Sequence, residues 1–157
     1  MVESGGKLPA FSGKYYYSVD SKGRIIIPAP FREIISIHYS QKIYVTNAPF
    51  DRCLYVYPSE EWNKLQELVR LKPRSDEAIK LFMRRVIASA VEVDMDKQGR
   101  VLIPAAHRDD ARINTDVVVV GQIEKIEIWD RNEWDSLFDL KKIDKKITEE
   151  KLAAYGL

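Results

Sequence analysis

The chain repeats itself. Asp20-Ser-Lys-Gly-Arg24-Ile-Ile-Ile-Pro28-Ala-Pro-Phe-Arg32 aligns with Asp96-Lys-Gln-Gly-Arg100-Val-Leu-Ile-Pro104-Ala-Ala-His-Arg108 at a constant offset of 76 residues, the step from Asp20 to Asp96. Leu54-Tyr-Val-Tyr-Pro-Ser-Glu-Glu-Trp62 aligns with Ile126-Glu-Ile-Trp-Asp-Arg-Asn-Glu-Trp134 at an offset of 72, so the halves differ by four residues in the loop between the two matches. Asp, Gly, Arg, Pro, Arg and Trp in one order twice mark a tandem duplication. In a chain of 157 residues, each strand-rich half is left with only about 45–50 residues, near the lower limit for a self-sufficient core. Each half nevertheless supplies four apolar strands that must be buried. Interdigitated halves would bury them and cover the strand edges, which predicts a shared barrel formed within the chain, between chains, or both.

The local pattern is β-rich. Residues 15–19 and 90–93 are short strand candidates, rich in aromatic and β-branched side chains. Ser21-Lys22-Gly23 and Lys97-Gln98-Gly99 read as tight turns in which the glycine takes a positive φ. Residues 25–27 and 101–103 continue as apolar strands expected to be buried on both faces, stopped by Pro28 and Pro104. Short helices are expected over 30–35 and 105–111, then strands over 42–46, 54–57, 117–120 and 125–129. Ser59 is placed to cap a helix with Glu60 and Glu61 in its first turn and Trp62, Leu65, Leu68 and Val69 on one face. Ser75 is placed to cap a second, carrying Ile79, Phe82, Met83, Val86 and Ile87; helices over 133–140 and 148–155 end the chain. The resulting division is a first repeat over 11–60, connecting helices over 61–89, a second repeat over 90–133 and C-terminal helices over 134–157.

Composition narrows the class. With 45% hydrophobic and 31% charged residues the chain suits an ordered globular protein. No apolar run approaches the ~20 residues that span a bilayer, and the N-terminus lacks the apolar core of a signal peptide, so no membrane partner and a cytoplasmic location are expected. The single cysteine, Cys53, excludes an internal disulfide framework and a Cys-based zinc site. The formal charge is +1, from 25 basic and 24 acidic residues. That balance leaves DNA open, because the cations of interest are concentrated on the repeated turns.

Arg24 and Lys22 stand on or beside a turn that can enter a groove, where Arg reads guanine O6 and N7 bidentately and Lys contacts phosphate or guanine. The alternative is that Arg24 pairs with Asp20 and holds the hairpin shut; a carboxylate partner can also orient an arginine for recognition. Lys14, Ser21 and Arg32 add to the first motif. In the second, Gln98 replaces Lys22, Lys97 offers a cation one residue earlier, and Arg100 is expected to be structural or a backbone contact. Arg32 and Arg108 are otherwise expected to be solvated or to pair with acids such as Glu33 and Asp109. Asp20, Gly23, Asp96 and Gly99 are assigned to holding the motif.

Chemistry has no candidate constellation. Asp20 and Asp96 occupy equivalent places in different halves, so nothing gathers them around one substrate as acid–base catalysis requires. His38 and His107 lack partners at metal-ligand spacing and are expected at a surface or interface; there is no Gly-x-Ser-x-Gly and no phosphate-binding glycine loop. No enzyme activity, metal, cofactor or small-molecule substrate is expected. Tyr15 and Tyr17 should face one way and Tyr16 the other, and Trp62, Trp129 and Trp134 should anchor helices to strands. The lysines around residues 141–146 lie among acids and read as a solvated helix face.

The string Asp-x-x-Gly-Arg-aliphatic-x-aliphatic-Pro resembles the swapped-hairpin DNA-binding domains of the AbrB, SpoVT and MazE type. Two copies, together with Phe11-Ser-Gly13, Leu-x-x-Tyr57-Pro-x-x-x-Trp62 and Val120-Gly-Gln-x-x-Lys-x-Glu-x-Trp129-Asp, resemble the MraZ family of bacterial transcriptional regulators over roughly residues 11–140. The resemblance implies an α+β fold, mostly β, of tandem pseudo-symmetric swapped-hairpin β-barrel halves with connecting and C-terminal helices. It implies subunits joined into a ring-like, octamer-like homo-oligomer. It further implies a nucleoid-associated regulator of double-stranded promoter DNA, acting at short direct repeats upstream of the division and cell-wall gene cluster. The motifs carried over are Asp20/Arg24 and Asp96/Arg100. The readings to be separated are this regulator, a non-catalytic oligomeric scaffold or adaptor, and an antitoxin-like protein with a free toxin-binding tail.

Overall fold

A computed structural model describes residues 8–157. The reading of the N-terminus as lacking a signal peptide bears largely on residues 1–7, which lie outside the described residues. The first half runs β1 (Lys14–Ser18), β2 (Arg24–Ile26), α1 (Ala29–His38), β3 (Ile43–Asn47) and β4 (Cys53–Pro58). Helices α2 (Ser59–Arg70) and α3 (Glu77–Phe82) follow, the latter running into a π-helical turn, Met83–Ile87. The second half runs β5 (Val91–Val93), β6 (Arg100–Leu102), α4 (Ala105–Asp110), β7 (Asp116–Gln122) and β8 (Lys125–Asp130). Helix α5 (Arg131–Ser136), a 3-10 turn (Leu140–Lys142) and α6 (Lys145–Ala154) complete the chain.

The halves exchange strands. The six-stranded antiparallel sheet has the order β1-β7-β8-β4-β3-β5, in which β1 of the first half pairs with β7 of the second and β5 of the second with β3 of the first. At its centre β4 and β8, the equivalent strands of the two halves, pair from Cys53↔Trp129 to Val56↔Ile126. The remaining equivalents, β2 and β6, form a separate two-stranded ribbon, Arg24↔Leu102 to Ile26↔Arg100. The molecule is therefore mixed α+β with antiparallel strands. The shared barrel expected within the chain, between chains or both does not close within the chain among the described residues. No pairing joins the edge strands β1 and β5, and β2 and β6 pair with each other instead of extending the sheet.

One core serves both halves. Ile25, Ile27 and Leu54 from the first and Ile103, Ile126 and Ile128 from the second are fully buried in a single cluster. Residues 25–27 and 101–103 are not buried on both faces as their apolar run implied. Ile25, Ile27, Val101 and Ile103 point inward, whereas Leu102 is 56% exposed. The ribbon has the core on one side only, so the period of two reasserts itself within an all-aliphatic run. Tyr15 and Tyr17 pack on the core and Tyr16 faces out, as alternation requires. Trp62 stacks on Tyr44, centroids 5.6 Å apart, and Trp129 meets Trp134 edge-on.

The helix starts differ in detail. Pro58, not Ser59, occupies the position before α2, and the Ser59 hydroxyl instead bonds Glu60 Oε1. Asp76, not Ser75, caps α3, its carboxylate accepting from the Ala78 and Ile79 amides. A carboxylate one residue nearer the helix outcompetes the hydroxyl for the free amides. Every residue from 135 onward is exposed, including Leu140, Ile143 and Ile147.

Because the repeat order of the sheet is palindromic, a half has no complete set of strand partners of its own. Either half produced separately is expected never to be a folded monomer. Circular dichroism with light scattering should find it unfolded, or folded only as a dimer that rebuilds the exchanged pairs.

Candidate nucleic-acid interface

Each Asp-x-x-x-Arg segment closes on itself. Asp20 Oδ1 accepts from the Lys22 and Arg24 amides, both at 2.9 Å, and Oδ2 accepts from Arg24 Nε at 2.6 Å. Asp96 repeats this with the Gln98 and Arg100 amides at 3.0 and 2.8 Å and Arg100 Nε at 2.8 Å. Backbone bonds Gly23 N–H to Asp20 O and Asp20 N–H to Arg24 O complete the first turn; Gly99 and Arg100 do the same for Asp96. Gly23 and Gly99 sit at φ +84° and +82°, the left-handed region that side chains disfavour. Five bonds, three to the carboxylate and two to the backbone of the same aspartate, fix each turn.

The ribbon brings the two turns together. Arg24 and Arg100 alternate with buried Ile25 and Val101, so both guanidinium groups lie on its outer face, partly exposed. Arg24 stands opposite Leu102 and Arg100 opposite Ile26. Two residues along the ribbon and one strand spacing across place their Cα atoms roughly 8 Å apart. Ser21, Lys22, Lys97 and Gln98 are exposed on the turns that flank this face. Lys22, Arg24, Lys97 and Arg100 are four cations against two carboxylates, each carboxylate already holding its own arginine.

The copies differ at the guanidinium tips. Asp20 engages only Arg24 Nε, and the two terminal nitrogens of Arg24 have no hydrogen-bond partner among the described residues. Arg100 Nη2 instead approaches Gln98 Oε1 at 3.4 Å. Gln98 stands where the first copy has Lys22, so the second turn lacks one cation and holds its arginine more closely.

Two arginines assigned to solvent or to nearby acids lie elsewhere. Arg32 Nη1 donates to the Ile27 carbonyl at 3.0 Å and to the Gln98 carbonyl, across in the other half, at 3.3 Å. Arg108 Nε donates to the Ile103 carbonyl at 3.2 Å. Neither makes an ion pair among the described residues. Their recurrence at equivalent places was visible in the sequence; their targets in the opposite half were not.

Lys14 is not gathered into this cluster. It opens β1, pairing with Val120, and the whole of that strand separates it from the first turn. Lys14 Nζ lies 5.9 Å from the Tyr16 ring, which Arg131 covers more closely at 4.2 Å. Of the two histidines expected at a surface or interface, His38 is exposed and His107 is buried, with Nε2 donating to the Ser89 carbonyl at 2.7 Å. Arg85 binds Asp110 bidentately at 2.8 and 2.9 Å and so ties the π turn to α4. The Cys53 thiol is buried, and that burial pushes its pKa up. Among the described residues no cluster of three His, Cys, Asp or Glu side chains could hold a metal ion, and no helix is long and apolar enough to cross a membrane.

Asp20 and Asp96 are held below the ordinary carboxylate pKa, chiefly by the amides of Arg24 and Arg100, and Asp110 chiefly by the Arg85 side chain. A depressed folded pKa adds stability above the unfolded value of about 4, and this is lost as pH falls through the folded value. Urea midpoints are therefore expected to be level from pH 6 to about 4 and to fall below that. Asp20→Asn and Asp96→Asn should each lower the neutral-pH midpoint and flatten the acid fall; an unchanged acid limb would show that these turns contribute nothing to it.

Comparison with known proteins agrees with the duplication. The family model described as "MraZ protein, putative antitoxin-like" matches twice, over residues 10–85 and 86–153. The protein named "Transcriptional regulator MraZ" of Acetivibrio thermocellus is 38% identical over 147 residues, covering 94% of this chain and 99% of its own. Its namesake from Clostridium tetani is 39% identical with the same coverage, and that from Lachnoclostridium phytofermentans is 41% identical over 126 residues, 80% of this chain and 85% of its own. With both halves matched and relatives of this identity aligned along nearly their whole length, the chain belongs to the MraZ family.

Proposed function

We propose that the chain is a sequence-specific transcriptional regulator that binds double-stranded promoter DNA through the outer face of the β2–β6 ribbon and its two turns. The observation that carries this reading is the Arg24 guanidinium. Its Nε is fixed by Asp20 while its terminal nitrogens are unbonded among the described residues, so a planar fork is aimed outward without being used internally. Such a fork matches guanine O6 and N7 in the major groove. Lys22 and Ser21, exposed on the same turn, supply a cation and a hydroxyl for phosphate or base edge. Arg100 and Lys97 give the second turn backbone-contacting character, because Gln98 engages the Arg100 tip. The relatives' shared name, "Transcriptional regulator MraZ", supports the regulatory role.

One ribbon offers few contacts, and the balanced net charge of +1 makes nonspecific attraction weak. The regulator accordingly acts as a ring-like homo-oligomer that sets several ribbons on short direct repeats, gaining affinity through effective concentration. Exposed Phe138, Leu140 and Ile147 in the C-terminal segment provide apolar surface for such assembly. The setting is the cytoplasm and nucleoid, and the target is DNA upstream of the division and cell-wall gene cluster.

Footprinting and gel retardation on the DNA upstream of its own gene test the reading. Arg24→Ala is expected to weaken specific binding by roughly tenfold or more per contacted site, the range of one lost bidentate base contact. Light scattering should show the oligomer unchanged, and Arg100→Ala should have the smaller effect. Affinity should fall steeply with salt. An oligomeric scaffold would instead show no saturable, salt-sensitive binding to this DNA, and dissociation of the oligomer by Arg24→Ala would make that residue structural.

A further inference from the structure

We infer that Arg32 and Arg108 are positioning residues acting crosswise, each setting the turn of the opposite half. Arg108 belongs to α4 of the second half, yet its guanidinium lies against Gly23 of the first turn. A Cβ added at Gly23 would stand 2.9 Å from Arg108 Cζ and Nη2. Arg32 belongs to α1 of the first half and covers Gly99 of the second turn so closely that an added Cβ would overlap its guanidinium. Strand ends reinforce the crossing. The Ile103 amide donates to the Gly23 carbonyl at 3.1 Å, and the Ile27 amide to the Gly99 carbonyl at 2.8 Å. The same arginines grip those strand ends, Arg32 through the Ile27 carbonyl and Arg108 through the Ile103 carbonyl. Each guanidinium plane thus joins three things: its own helix, the end of its own ribbon strand, and the glycine of the other copy's turn.

The two glycines are therefore required twice, for their positive φ and for the arginine side chain that covers each of them. A lysine has the charge but not the several donors on one group, and cannot cover the glycine while bonding the strand-end carbonyl as the guanidinium does. The consequence is that a second-half residue governs the first-half turn that carries Lys22 and Arg24. Where DNA is concerned, this assignment rests on the proposed ribbon interface; the positioning itself does not.

The test has an arm that needs no DNA. Hydrogen exchange read by mass spectrometry on the full chain should show Arg108→Ala speeding exchange about tenfold in peptides covering 20–24, with 96–100 nearly unchanged; Arg32→Ala should do the reverse. Arg108→Lys, which keeps the aliphatic stem and so the cover over the core, should behave like Arg108→Ala. Acceleration in the residue's own half, equal acceleration in both turns, or full protection by lysine would overturn the inference. In the DNA arm, Arg108→Ala should weaken specific binding about tenfold with the salt slope unchanged. A slope reduced by about 0.9 would mean a direct phosphate contact and would also overturn it. If the unsubstituted protein binds no DNA, the ribbon reading fails while the exchange pattern still decides the positioning.

Discussion

The pairing of β2 with β6 is the contact on which the rest depends, because it joins equivalent strands from two halves that are each too small to enclose a core. Three residue pairs bring Ile25 and Ile27 against Val101 and Ile103 and drive all four inward, where Leu54, Ile126 and Ile128 meet them. The same pairing decides what lies outside. Alternation turns Arg24 and Arg100 to the solvent face, and the strand ends reach past each other to bond Gly99 and Gly23. Neither turn is complete without atoms of the other half. The exchange of β1 and β5 onto β7 and β3 has the same cause, an apolar strand set that must find partners outside its own repeat.

The Asp-x-x-x-Arg motif makes holding the hairpin compatible with the proposed contact to DNA. Asp20 uses one oxygen for two backbone amides and the other for Arg24 Nε, so the turn is closed by groups that leave the guanidinium tip uncommitted. Closure and presentation are one arrangement. A side chain held by the fold in advance would lose less entropy on binding the proposed partner. The overall charge of +1 says little about such a site, because the acids nearest the cations are internal partners and not competitors for a ligand.

Duplication has let the copies diverge without loss of the fold. Both turns keep the carboxylate, the glycine and the arginine, the groups that build the turn. At the position before the glycine the side chain takes no part in closing the turn, and there the first copy has Lys22 and the second Gln98, which approaches Arg100. The segments after β4 and β8 have diverged further. The first packs α2 and the π turn against the sheet through Trp62 and Val86 and is pinned by Arg85 to Asp110. The second leaves α6 with every residue exposed.

Much was legible in the sequence because it is local or repeated. The duplication, the strands, the turn glycines and the Tyr15–Tyr17 alternation follow from residue type and spacing alone, and so does the kinship of the two motifs. What the chain order could not express is which half each strand joins. Alternation was hidden at residues 25–27, since three consecutive isoleucines look the same whether one face or both are buried. Closure of a barrel within the chain was not legible for the same reason: unpaired edges call for cover, but only the fold decides that β2 and β6 cover each other. Likewise Arg32 and Arg108 were recognisable as a repeated pair, and yet the groups they touch in the other half, Gln98 and Gly99 for one and Gly23 for the other, lie 66 or more residues away in the chain, beyond any spacing rule. Sequence alone determined the duplicated unit and the chemistry of its turns, because those are written in short-range hydrogen bonds. Only the tertiary structure decided that each turn is finished by the other copy, because burial of two undersized cores is a long-range requirement.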